Sequence, residues 1–168
     1  NGALAGRVDA AAAFDGSYRS CVVVPHDGRL NPTNTFTVEC WANPNTIRPD
    51  DDNVQCPIGS IRREPPDASG WVIYQAASGW RLRMGNTSGY QLTLTSSTQP
   101  APGYWDHLVA TFENKTARLY VNGVLEATGS FPGTFAPNLN VPLGIGARAA
   151  GTFGFNRMGA ELPVNPAD

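Results

Sequence analysis

The sequence has no long hydrophobic run. Its longest unbroken apolar stretch is Ala10 to Phe14, far short of the ~20 residues that cross a bilayer as a helix, so no membrane-spanning helix is expected. Lysine is almost missing: Lys115 stands alone beside eleven arginines, and 12 bases against 14 acids leave a net charge of -2. With those charges scattered, no basic stripe exists to follow a phosphate backbone, which excludes the usual nucleic-acid binder. Histidine is limited to His26 and His107. Cysteine is limited to Cys21, Cys40 and Cys56, with no C-x-x-C pair, so the spacing of a zinc cluster is absent and at most one internal disulfide can form. Three buried thiols are as good a reading as a bridge. If a bridge forms, Cys40 with Cys56 is the favoured pair, closing the loop that carries Pro44, Pro49 and Asp50 to Asp52.

Other absences narrow the chemistry. No Gly-x-Ser-x-Gly elbow occurs, and two histidines leave little material for a nucleophile–base set. Gly144-x-Gly146 followed by Gly151 misses the phosphate-cradling spacing, so no dinucleotide site is expected. A glycosidase needs two carboxylates facing one another across the scissile bond. Here Glu39, Glu113, Glu126 and Glu161 stand singly on different segments, and solvated strand or turn positions account for them. The run Asp50-Asp51-Asp52-Asn53 is rich in oxygen ligands but lacks the alternating layout of a calcium loop.

What the chain does have is glycine and proline, 18 and 14 of them, in 168 residues, a length that suits one domain. Gly, Pro, Asn and Asp recur every eight to twelve residues, and between them lie short runs of Val, Ile, Thr, Tyr, Phe and Trp. That rhythm predicts an all-β sandwich. Cys21 to Val24 is one strand. Phe36, Val38, Cys40 and Ala42 alternate with Thr37, Glu39 and Trp41, the period of two of a half-buried strand. Trp71 to Gln75, Trp80 to Met84 and Tyr90 to Thr95 form a meander with turns at Ser78-Gly79 and Ser88-Gly89. Asn122-Gly123 supplies a two-residue hairpin turn between Leu119-Tyr120-Val121 and Val124-Leu125.

Tyr104 to Glu113 fits both helical and strand spacing; its short connection into the Asn-Gly hairpin favours a strand. Val141 to Gly146 is a further strand. Beyond about residue 150 the pattern weakens, and a closing strand around Met158 to Val164 is at most partial, since Pro163 and Pro166 remove ladder donors. No repeat or linker divides the chain, so residues 1–168 read as a single domain.

In the meander, Trp80, Leu82 and Met84 point inward, and Arg81, Arg83 and the row Gln91-Thr93-Thr95 share the outward face. Sugar recognition asks for aromatic faces with a few placed polar groups. Tyr74, Arg81, Arg83, Asn86, Tyr90 and Gln91 offer that mixture, and the two arginines suit a carboxylate on an acidic sugar or a protein. Two solvated surface arginines are an equally good reading of the pair.

Taken in order, several segments resemble the laminin G-like jelly roll of the concanavalin A-like lectin/glucanase superfamily. They are Asn1-Gly2-Ala3-Leu4, Phe14-Asp15-Gly16, Phe36-Thr37-Val38-Glu39-Cys40-Trp41, and Trp105 with His107-Leu108-Val109-Ala110. Leu119-Tyr120-Val121-Asn122-Gly123 and Leu143-Gly144-Ile145-Gly146-Ala147 complete the series. The resemblance covers residues 1 to about 150. It departs from the family at the close, where Gly159-Ala160 replace an Ile-Asp pair.

The resemblance implies two antiparallel sheets and an extracellular module, secreted or on the cell surface, that binds a glycan or a protein and is carried by a larger protein. It implies a noncatalytic Glu39 and a structural His107. It suggests a structural calcium ion held by Asp15 and Glu161, although Ala160 removes a further ligand. The leading expectation is a noncatalytic carbohydrate-binding, lectin-like module. The rivals are an adhesive domain that self-associates through a strand edge and a glycoside hydrolase or polysaccharide lyase. Asn1 is not an initiator Met, so either a signal was removed or the chain is cut from a longer protein.

Overall fold

The computed structural model describes residues 11–14, 20–47, 55–149 and 155–156. Among these the regular structure is almost wholly strand: β1 Val22–Val24, β2 Thr35–Ala42, β3 Gln55–Ile61, β4 Gly70–Ala76, β5 Gly79–Asn86 and β6 Gly89–Thr95. There follow β7 Asp106–Glu113, β8 Thr116–Val121, β9 Val124–Ser130, β10 Leu143–Ile145, β11 Arg148–Ala149 and β12 Phe155–Asn156. One short 3-10 turn, Gly28–Leu30, is capped by Asp27, whose side chain accepts from Arg29 N.

The strands assemble into a six-stranded sheet in the order β1-β10-β3-β4-β5-β6 and a four-stranded sheet in the order β2-β7-β8-β9. A two-stranded ribbon of β11 and β12 completes the set. Every pairing in these sheets is antiparallel, as hairpins and short crossings require. The predicted two-sheet jelly-roll sandwich is therefore the observed architecture.

Alternation explains which side chains meet. On β7, Leu108, Ala110 and Phe112 are buried while His107, Val109 and Thr111 are half-buried, which decides the ambiguous stretch in favour of a strand. Opposite them, Trp71, Ile73, Trp80, Leu82 and Met84 come from β4 and β5, and all belong to one cluster between the sheets. Phe36 packs on Trp71 at 5.9 Å between ring centroids. Asn122 and Gly123 have φ of 52° and 83°, the pair of positive angles that the two-residue hairpin turn demands.

β4 is buried on both faces. Its second face carries Val72, Tyr74 and Ala76, which join Cys56 and Ile61 from β3 in a separate cluster. That arrangement overturns the favoured disulfide. Cys40 faces the core between the sheets, Cys56 lies on the far side of the six-stranded sheet, and all three cysteines are free. Burial pushes the Cys40 thiol up to about 12, with the charge of Glu39 adding to the effect.

β3 escaped the sequence reading because Pro57 and Gly59 interrupt it. The proline sits in a register shift between Gln55 and Ile58, where a missing ladder donor is tolerated. A Cβ on Gly59 would lie 2.8 Å from Val72 Cγ2, so Val72 occupies the space a side chain would need. The expected closing strand, Met158 to Val164, lies outside the described residues.

Candidate functional site

On β5 the alternation places Arg81 and Arg83 on the face away from the core, and their register partners on β6 are Thr95 and Thr93. Arg83 is held from two sides. Its guanidinium carbon lies 4.9 Å from the Tyr74 ring centroid and 4.8 Å from that of Tyr90, both within the ~6 Å reach of a cation–π contact. Arg83 Nε also donates to Thr93 Oγ1 at 3.4 Å. Arg81 stands 6.0 Å from the Tyr74 ring and donates through Nη2 to Ser78 Oγ at 3.0 Å. The meander thus fixes a pair of cations on one sheet face, with Tyr90 38% exposed beside them.

Three of the expected contact residues stand differently. Tyr74 shares the face but has no exposure, because it is one of the residues of the cluster packed on β4; it supports the arginines from beneath instead of offering a ring to a ligand. Asn86 closes the β5–β6 turn. Its Oδ1 accepts from Ser88 N at 2.9 Å and its Nδ2 donates to Thr134 O at 3.4 Å, so its amide serves a turn and a loop and not the arginine face. Gln91 is the extra residue where the β5–β6 register shifts, and its Nε2 donates back to Gly89 O at 3.4 Å. Asp15 and Glu161, expected to hold calcium, lie outside the described residues, as do Asp50 to Asn53. Among the described residues no three His, Cys, Asp or Glu converge as a metal site.

The single glutamates remain apart. Glu39 opposes Val109 in the β2–β7 ladder and Glu113 opposes Thr35 at its far end. Glu126, on β9, accepts from Thr98 Oγ1, from Thr98 N at 2.7 Å and from Ser97 Oγ at 2.9 Å. Burial pulls its carboxyl upward, but these hydrogen bonds outweigh burial and hold it below the ordinary range. Its oxygens tie the segment after β6 to β9, a bracing role.

Sequence reasoning overlooked a second surface. Trp41 is 51% exposed on the outward face of the four-stranded sheet, stacked on His107 with centroids 4.8 Å apart, and His107 Nε2 is 3.6 Å from Glu39 Oε2. Tyr104 and Trp105, 71% and 43% exposed, lead into β7 beside that end of β2. The signal was present in the alternation, since Trp41 shares its face with Thr37 and Glu39 and a large apolar ring there has no core to enter. His26 donates through Nε2 to Asn138 O at 3.2 Å.

A third feature opens at one end of the sandwich, a cleft of about 420 Å³ floored by Phe112 and Phe135 and rimmed by Thr33, Asn34, Asn114, Lys115 and Thr134. Nothing in the sequence pattern singled it out, because its walls come from three separate connections.

Paired antiparallel sheets with these faces define a jelly-roll module. The chain belongs to the concanavalin A-like lectin/glucanases superfamily, whose laminin G family model matches residues 15–158. No curated protein sequence matches it. Among solved structures it is similar to the binding domain of Paraclostridial Mosquitocidal Protein 1, at 15% identity and a TM-score of 0.61, covering 90% of this chain and 40% of that one. It is also similar to domain 4 of AbnA, a GH43 extracellular arabinanase from Geobacillus stearothermophilus, in complex with arabinotriose (19% identity, TM-score 0.58, 92% of this chain and 71% of that one). A third is the mouse laminin alpha1 chain, domains LG4-5, at 17% identity and a TM-score of 0.53, covering 89% of this chain and 37% of that one. The chain spans well under half the length of the first and third of these structures. Among the described residues no helix is long and apolar enough to cross a membrane.

Proposed function

We propose that this chain is a noncatalytic, extracellular glycan-binding module of a larger protein, and that it meets an acidic sugar with the β5–β6 face bearing Arg81, Arg83 and Tyr90. The observation that carries this reading is Arg83 held between two tyrosine rings. A guanidinium fixed before the ligand arrives loses little freedom on binding, and its forked donors match a carboxylate. Tyr90 adds an exposed ring edge for the apolar side of a pyranose, and Thr93 and Thr95 add hydroxyls in the same row.

One solved neighbour, held with arabinotriose, supports a sugar as the class of ligand. Among the described residues Glu39, Glu113 and Glu126 stand apart, and Glu64 and Asp67, which do come together, are both paired with Arg62; this supports binding without cleavage, because bond scission needs two carboxyls across one sugar linkage.

A glycan array together with a sugar-release assay tests the reading. The wild-type chain is expected to bind uronate-containing glycans and to release no sugar. Arg81→Ala/Arg83→Ala should lose that binding with its melting temperature unchanged, whereas Trp41→Ala should keep it. Sugar release would make the chain an enzyme. Binding lost in Trp41→Ala but kept in the arginine variant would move the site to the four-stranded sheet. No binding to any glycan, with concentration-dependent dimers, would favour the adhesive alternative.

A further inference from the structure

We propose that the end cleft is a second, independent ligand site that takes one or two residues of a saccharide bearing a carboxylate. Its size is right: about 420 Å³ lies within the ~300–1,000 Å³ of small-molecule sites. Its chemistry is that of a sugar pocket. The floor is closed by Phe112 and Phe135, only 2% and 6% exposed, and the rim supplies amides from Asn34 and Asn114 with hydroxyls from Thr33 and Thr134. Amides and hydroxyls both donate and accept, as sugar hydroxyls do. Inorganic phosphate alone would engage the ammonium and leave most of the rim's amides and hydroxyls without partners.

The charge comes from Lys115, the chain's sole lysine. Among the described residues no carboxylate lines the cleft beside it, so an anionic group is the complementary partner. A carboxylate on a pyranose ring satisfies the ammonium and the rim together.

The walls are also set in advance. Asn114 and Lys115 have φ of 48° and 65°, the tight turn joining β7 to β8, and Phe131 N donates to Lys115 O at 2.7 Å. Phe135 packs on Phe36, Phe112 and Phe131 at 5.9, 5.1 and 5.6 Å. The neighbouring Thr134 carbonyl accepts from Asn86 Nδ2, so the displaced Asn86 helps to hold a wall of this cleft. A rim fixed in this way pays little ordering entropy on binding.

The site is distinct from the arginine face and stands whether or not that face binds sugar. The test is amide NMR of the full chain titrated with digalacturonate, with galactobiose as the neutral control and sodium phosphate as the anion control. Digalacturonate should move the amides of Asn34, Asn114, Lys115 and Thr134. Lys115→Gln should weaken that binding about tenfold, the scale of one hydrogen bond to a charged group, while Arg81→Ala/Arg83→Ala leaves it unchanged. Shifts confined to the arginine face would overturn this inference and support the proposed function. Equal binding by Lys115→Gln, or rim shifts with phosphate as large as those with digalacturonate, would overturn it as well.

Discussion

Trp80 Nε1, on the six-stranded sheet, donates to Asp106 Oδ2, on the four-stranded sheet, at 2.8 Å. Both residues are buried, and the other carboxyl oxygen accepts from Asn122 Nδ2 at 2.8 Å, while Asn122 Oδ1 accepts from His107 N at 2.9 Å. One carboxylate therefore joins the two layers and fixes the β8–β9 hairpin to the start of β7. Asp106→Ala would leave a buried indole N–H without its acceptor, so stability should fall by about 1–3 kcal/mol. Asp106→Asn keeps one acceptor and should lose less. Urea unfolding followed by tryptophan fluorescence measures both; a midpoint like the wild type's in Asp106→Ala would refute the role.

The hairpin turn separates backbone cost from packing cost. A Cβ on Gly123 would meet nothing within 4 Å, so Gly123→Ala changes only the price of a positive φ, about 1 kcal/mol. Asn122→Ala carries that kind of strain and also loses both amide hydrogen bonds. It should be the more damaging variant in the same unfolding experiment, and a reversed order would show that the turn does not control the register.

Cys40 sets an alkaline limit. Its thiol is pushed up to about 12 from an ordinary 9.0, so the folded chain resists forming a thiolate that the unfolded chain forms freely. The stability this represents is full below pH 9 and is lost as pH rises from 9 towards 12. In Cys40→Ala the alkaline decline should be shallower. At pH 8, iodoacetamide should leave Cys40 unlabelled in the native chain and label it at once in denaturant; rapid native labelling would contradict its burial.

Strands with strict alternation were legible in the sequence, and β2, β5 and the β8–β9 hairpin were read from it directly, while β7 fitted two periods and was decided by its short connection into that hairpin. β3 was not, because Pro57 and Gly59 disguise a strand that a bulge and the bulk of Val72 make workable. Arg81 and Arg83 were placed on their common face by period alone. Tyr74 obeyed the same period and was still misjudged, since alternation tells which side a residue faces and not whether that side is covered. The local bonds of Asn86 and Gln91 were not legible, since a turn and a register shift at the end of a strand redirect side chains that ideal pleating would line up. The end cleft was invisible because Asn34, Lys115 and Thr134 come together only through the fold.

β10 pairs with β1 on one side, Val22 opposite Ile145, and with β3 on the other, Gly144 opposite Gly59. Two ladders thus wait on three residues, Leu143 to Ile145, made long after β1 and β3. A nascent chain stopped before Leu143 would emerge with β1 unattached and one flank of β3 bare, an open template for intermolecular pairing. Such long-range closure makes for slow assembly, so any excised version of this module has to keep both extremities of the segment that these strands enclose.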